Sequence, residues 1–235
     1  MENWQDEQDK SALELARSKL KPRTDNQARY FKAIETSTVT ICTGPAGTGK
    51  TYIPCALAAQ MLKEGRIERL ILTRPMVECG GRMGFLPGDK DAKVQPWMRP
   101  LLDVLNECFS ANELLKLMRE NIVELQSLEL MRGQSIKRAI IICDEAQNAD
   151  RGQLRMLCTR LDVGTRLIIS GDFTQTDLYD DGLNPLVEMI RRYCYPIRLP
   201  AVSYVRLTHD DCQRPDIVRQ MDKRWEGPTP RLQKK

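Results

Sequence analysis

Residues 44–51 read G-x-x-x-x-G-K-T inside the stretch "TGPAGTGKTYIP". No other feature constrains the fold as tightly. The pattern needs a strand before it and a helix after it, so that backbone N–H groups converge on phosphate oxygens at a helix N-terminus. The flanks comply: "TVTIC", residues 38–42, is β-branched and apolar, and residues 50–64 read as a helix ended near Gly65. Gly44, Gly47 and Gly49 permit the tight turn, and Pro45, Ala46 and Thr48 complete the cradle. Lys50 brings positive charge to the β- and γ-phosphates, and Thr51 offers a hydroxyl to Mg²⁺. Pro54 lacks the N–H of a helix interior, and its place near the helix start predicts a tolerated kink. The plain alternative, a Gly-rich turn before a helix, explains less of the eight-residue pattern.

The rest of the chain supplies partners for such a unit. "RLILT" at 69–73, "RAIIICDE" and "TRLIISGD" are buried strands, the last two ending in acidic residues. "VRLT" at 205–208 reads as a last strand, and "IVELQSL" is ambiguous. Helices are expected over 11–21, 26–34, 93–109 and 111–120. Near-continuous apolar strands alternating with helices predict an α/β fold, a mainly parallel sheet with helices on both faces. The 235 residues suffice for one large domain or two small ones, without a disulfide or metal staple. The expected organisation is a loose or helical extension over 1–23 and a single domain over 24–220. That domain carries an insertion at about 75–138, and a basic, mobile tail follows over 221–235.

Acidic and amide side chains fall where ligands sit, at strand C-termini. In "IIICDEAQN", Asp144 is placed to hold Mg²⁺ and Glu145 to polarise an attacking water as a base; a surface pair capping the next helix is the alternative. In "LIISGDFTQ", Gln175 follows Asp172 within one turn and can touch the γ-phosphate and the lytic water. Before the first strand, "DNQARYFKAI" offers Gln27 to read an adenine edge and Tyr30 to pack on the ring or ribose. Asn26 can instead cap a helix.

Together "GPAGTGKT", "TRP" at 73–75, "DEAQN" and "GDFTQ" resemble the first RecA-like domain of superfamily 1 helicases. The closer resemblance is to the PhoH family of phosphate-starvation-inducible ATPases. It rests on "RPMVECGGRMGFLPGD", "VQPWMRPLLDVL", "LELMRGQSIKRAIIICDEAQN" and "CTRLDVGTRLIISGDFTQTDL", and runs from about residue 24 to about 220. The resemblance implies a RecA-like P-loop NTPase that hydrolyses ATP with Mg²⁺. It also implies activity linked to RNA or single-stranded nucleic acid, and a homo-oligomer, with a ring such as a hexamer among the forms. On this pattern Thr73 and Arg74 fall where such helicases contact the nucleic-acid backbone. Pro54 departs from an apolar helix residue of the family.

One set of motifs leaves no room for a second RecA-like domain. The chain is therefore either a plain ATPase switch or one that completes its site with another copy. Arg160 in "CTRL" and Arg214 in "QRPD" are the candidates for an arginine supplied in trans to the γ-phosphate; each can equally be a surface arginine. Arg74, Arg82, Lys90, Lys93 and Arg99 with Phe85 and Trp97 mix basic and aromatic groups, as single-strand binding requires. The same residues would also suit a loop plugging a core or a subunit contact. A net charge of +4 permits a polyanion partner without demanding one. Eight cysteines without a C-x-x-C pair, beside the lone His209, argue against zinc and for a reducing, cytoplasmic setting. No apolar run is long enough to span a membrane. Two readings stand: an ATPase coupled to RNA or single-stranded nucleic acid, and a nucleotide-dependent assembly or regulatory module. A small-molecule kinase fits less well, because no lid-like arginine cluster is visible.

Overall fold

The computed structural model describes residues 20–75, 90–131, 133, 135–173, 184–196 and 198–226; the side chains of 90–96, 129, 130, 222, 225 and 226 lie outside that description. Six strands, β1 (Val39–Thr43), β2 (Arg69–Arg74), β3 (Val123–Ser127), β4 (Ala139–Cys143), β5 (Arg166–Gly171) and β6 (Val202–Arg206), form one sheet in the order β3-β2-β4-β5-β1-β6. Every pairing is parallel. The register aligns the strand tips, with Thr43 beside Gly171 and Thr73 beside Cys143. The fold is RecA-like, as expected.

The strands are apolar throughout because both faces are covered. Alternate residues point to opposite sides, and the core divides accordingly. On one side Cys42, Leu70, Leu72, Ile140, Ile142 and Ile168 pack with α1 (Asp25–Thr36), α2 (Tyr52–Lys63), α3 (Lys90–Cys108) and α4 (Ala111–Arg119). On the other, Ile41, Ile71, Ile141, Leu167 and Ile169 pack with α5 (Arg151–Cys158) and α6 (Pro185–Cys194). A final helix, α7 (Asp216–Glu226), follows β6. Among the described residues no helix is long and apolar enough to cross a membrane.

Local chemistry sets the helix ends. Ser110 with Glu113 opens α4 and Asp150 with Gln153 opens α5, each as a reciprocal capping box. Asn184 caps α6, and Pro185 at its first turn loses no needed bond. The cap of α1 is Thr24, whose hydroxyl accepts the Gln27 N–H, rather than Asn26.

Several boundaries differ from expectation. "IVELQSL" does hold a strand: β3 pairs with β2 at the sheet edge. The segment expected as an insertion therefore completes the sheet, and its Met98, Leu101, Leu105 and Phe109 are buried. The last strand begins earlier, at Val202, and ends at Arg206. Helix α7 extends into the span expected to be a mobile tail. Helix 11–21 falls almost wholly outside the described residues.

Candidate phosphate-binding cleft

The loop between β1 and α2 leaves the sheet where β1 lies between β5 and β6. It is pinned from both neighbours: the Gly44 N–H donates to Gly171 O at 3.3 Å, and the Leu207 N–H donates to Thr43 O at 2.7 Å. A side chain at Gly44 would lie 2.6 Å from Leu207 O, so only glycine fits. Gly47 has φ +76°, and a Cβ there would meet the Arg214 side chain at 2.8 Å. Thr48, fully buried, donates its hydroxyl to Pro45 O at 2.8 Å. Around this loop opens a cavity of about 500 Å³ reached by Ala46, Lys50, Thr51, Glu145, Asp172 and Arg214.

Lys50 points its ammonium into the loop. It donates to Gly44 O and to Pro45 O, the latter at 2.7 Å, and stands 3.9 Å from the Asp172 carboxylate. Thr51 donates its hydroxyl to Asp144 Oδ1 at 3.1 Å, as does Ser170 at 2.8 Å. Asp144 is buried, and its Oδ2 accepts no hydrogen bond among the described residues. Burial pushes the Asp144 carboxyl above its ordinary pKa; Arg74 opposes that, Glu145 adds to it, and the Ser170 and Thr51 bonds oppose it. A buried carboxylate with one oxygen that accepts no hydrogen bond, beside a threonine hydroxyl and a phosphate cradle, fits a magnesium ion. Among the described residues no group of three or more His, Cys, Asp or Glu can hold a metal by itself. Such a cation would be held by Thr51, Asp144 and the nucleotide together.

Glu145 lies in the left-handed region, φ 54° and ψ 36°, a conformation that costs a non-glycine residue energy and is held by its surroundings. Two side-chain bonds and the Asn148 N–H, which donates to Glu145 O at 3.0 Å, hold it. Arg74 donates to Glu145 Oε1 at 2.9 Å and Gln147 Nε2 donates to Glu145 Oε2 at 2.6 Å. Gln147, fully buried, accepts the Asp172 N–H on its own Oε1 at 2.9 Å. One amide thus links the acidic tips of β4 and β5. Sequence reasoning missed Gln147, and Ser170 also; "DEAQN" was the only signal for the former.

Two residues expected to touch the nucleotide do otherwise. Gln27 lines the cleft, but its amide N–H groups donate to Thr48 O at 3.0 Å and Asp211 O at 3.2 Å, and its Oε1 accepts the Arg23 N–H at 2.9 Å. With both donors used, it braces the loop instead of reading a base edge. Tyr30 is fully buried and donates its hydroxyl to Lys50 O at 3.2 Å; it cannot stack on a ring or ribose. Beside them Asp211, also missed, accepts bonds from Thr24 Oγ1, from Asn26 Nδ2 at 3.0 Å and from the Thr208 N–H at 2.7 Å. It clasps the segment before α1 to the segment after β6. Burial disfavours its charge, but these donors outweigh burial and hold its pKa below the ordinary value. A depressed folded pKa contributes stability above the unfolded value of about 4 that fades as the pH falls through the folded one. Asp211→Asn is therefore expected to destabilise the fold by about 1–3 kcal/mol at neutral pH, with a smaller deficit in acid. Urea denaturation at both pH values checks it.

The remaining expected residues are dispersed. Thr73 is fully buried and cannot reach a nucleic-acid backbone. Arg74 turns inward, to Glu145, to Asp144 Oδ2 at 3.7 Å and to Trp97 O at 2.8 Å. Trp97 meets it through that carbonyl. Arg82 and Gln175 lie outside the described residues. The Arg214 side chain lies against Gly47 of the loop in its own chain. Arg160 donates to Met156 O and Thr159 Oγ1. Its carbonyl accepts the Ile136 N–H just before β4 begins, so it stands at the opposite end of the sheet from the loop.

A family model described as PhoH-like protein matches residues 19–226. The chain is 47% identical over 159 residues to a PhoH-like protein of Synechocystis sp., an alignment covering 68% of this chain and 48% of that protein. It is 39% identical over 202 residues to a PhoH-like protein of Bacillus subtilis, covering 85% and 61%. To Protein PhoH of Escherichia coli (strain K12) it is 37% identical over 199 residues, covering 84% and 55%. The chain thus spans about half the length of the curated relatives it matches. Among solved structures, the large terminase from the thermophilic bacteriophage D6E shares the fold at a TM-score of 0.53 with 11% identity, covering 88% of this chain and 51% of that one.

Proposed function

Because this chain belongs to the PhoH-like protein family, we propose that it hydrolyses ATP with magnesium, and that hydrolysis is coupled to binding or remodelling RNA or single-stranded nucleic acid by an oligomer of the chain. One observation carries the catalytic part. The loop, Lys50, Thr51, Asp144, Glu145 and Asp172 meet in a single cleft at the strand tips. In that cleft the loop amides and the α2 N-terminus bind phosphate oxygens. Lys50 neutralises charge on the transferred phosphoryl group. Thr51 and Asp144 would hold the cation, which would supply positive charge to neutralise the phosphates. Glu145 accepts the proton of the attacking water. Arg214, on the loop of its own chain, is the candidate for transition-state charge in cis, and Arg160 for a neighbouring copy. The proposed setting is the cytoplasm; the seven described cysteines are all free thiols, which suits a reducing compartment.

A second reading, a nucleotide-dependent assembly module, draws on a different observation. Thr73 and Arg74 are turned into the fold instead of toward a strand of nucleic acid. The ATPase rate with and without single-stranded RNA, at rising salt, separates the two. Stimulation that fades with salt is expected on the first reading, because phosphate contacts release counterions. A rate indifferent to RNA, with no RNA retained on the protein, supports the second.

A further inference from the structure

We propose that Tyr30 is a positioning residue for the phosphate loop, supplying from α1 the one hydrogen bond that Pro54 removes from α2. The inference rests on the reading of residues 44–51 as a phosphate loop and goes beyond it.

The bonds around the loop carry it. In the first turn of α2 the Ile53 N–H donates to Gly49 O at 3.0 Å and the Cys55 N–H donates to Thr51 O at 3.4 Å. Between them the donor to Lys50 O would come from residue 54. That residue is proline and has no N–H. The Lys50 carbonyl is thus an acceptor stranded by its own helix, in a place where an unmet polar group is costly. The Tyr30 hydroxyl meets it at 3.2 Å. The ring is fully buried, and besides the Lys50 carbonyl the hydroxyl has the Cys42 thiol within hydrogen-bonding reach.

The position of that carbonyl matters. It belongs to the residue whose ammonium enters the cleft, and the peptide it starts carries the N–H of Thr51. Fixing Lys50 O fixes the plane of that peptide, and with it the aim of one loop amide and the root of the Lys50 side chain. One turn earlier on α1, Gln27 Nε2 holds Thr48 O at 3.0 Å. Helix α1 therefore holds the loop at two alternate residues. Pro54 sits in the first turn of α2, which runs unbroken from Tyr52 to Lys63.

The test compares four proteins: wild type, Tyr30→Phe, Pro54→Ala, and Tyr30→Phe/Pro54→Ala. Each is assayed for Kd of ATP, for kcat and KM of hydrolysis, and for melting midpoint. Tyr30→Phe strands the Lys50 carbonyl and is expected to lower kcat/KM about tenfold. Pro54→Ala, which adds a helical donor without removing the tyrosine, is expected to stay within about twofold of wild type. The double variant supplies the missing N–H from within the helix and is expected to recover most of the lost kcat/KM. A merely structural tyrosine would shift the melting midpoint without that recovery. The proposal is overturned if Tyr30→Phe matches wild type, or if the double variant stays as low as the single. Should Tyr30→Phe fail to fold, the double variant decides: folded and active supports the proposal, unfolded or inactive overturns it. A wild-type protein that neither binds nor hydrolyses ATP defeats the phosphate-loop reading itself, a result distinct from all of these.

Discussion

Lys50→Ala is expected to reduce ATP hydrolysis by at least about 10²-fold, the scale on which a single preorganised charge at a transition state contributes. The ammonium is held in the loop by Gly44 O and Pro45 O and sits 3.9 Å from Asp172. Among the described lysines only Lys21 also lines the cleft. Alanine removes the charge and leaves the loop glycines as they are, so the fold should persist. Steady-state phosphate release, paired with a circular-dichroism melt, checks both halves. Unimpaired turnover in a folded variant would refute the role given to the loop.

Glu145→Gln should leave ATP bound and slow its hydrolysis by about 10²–10⁴-fold, the range general-base catalysis supplies. Glutamine keeps the shape of the side chain and can still meet Arg74 through its oxygen, but it cannot take a proton from water. Both carboxylate oxygens of Glu145 are bonded, one to Arg74 and one to Gln147, so the carboxylate is oriented before any substrate arrives. The separating measurement is a single-turnover rate alongside an equilibrium titration with ATP. A normal kcat would mean that some other group takes the proton.

How far the residues announced this arrangement depended on the range of the interaction. The phosphate loop, β1, β4 and β5 were legible because each is a contiguous apolar run ending in a motif. β3 was ambiguous because it is an edge strand whose middle three residues are only partly buried. β6 was misplaced because Ser203 and Arg206 interrupt its apolar run. α5, α6 and α7 are short or locally polar and gave no expectation at all. Side-chain destinations were harder still. Arg74 finds Glu145 across 71 residues of sequence, and Thr24 finds Asp211 across 187. Local pattern gives no hint of such pairings. Gln27 and Tyr30 were noticed for what they can bind, yet the backbone carbonyls of residues 48 and 50 claim their polar atoms first. A buried carbonyl next to a tight turn must be satisfied before a ligand is served.

The amide of Gln147 has a final implication. Its nitrogen faces a carboxylate and its oxygen faces a backbone N–H. Rotating the group by half a turn would set oxygen against oxygen and hydrogen against hydrogen, so it has a single tolerable orientation. A planar group with one orientation behaves as a rigid spacer. The carboxylate of Glu145 and the backbone at Asp172 are tied through this one side chain, so a displacement of either strains a bond to the other.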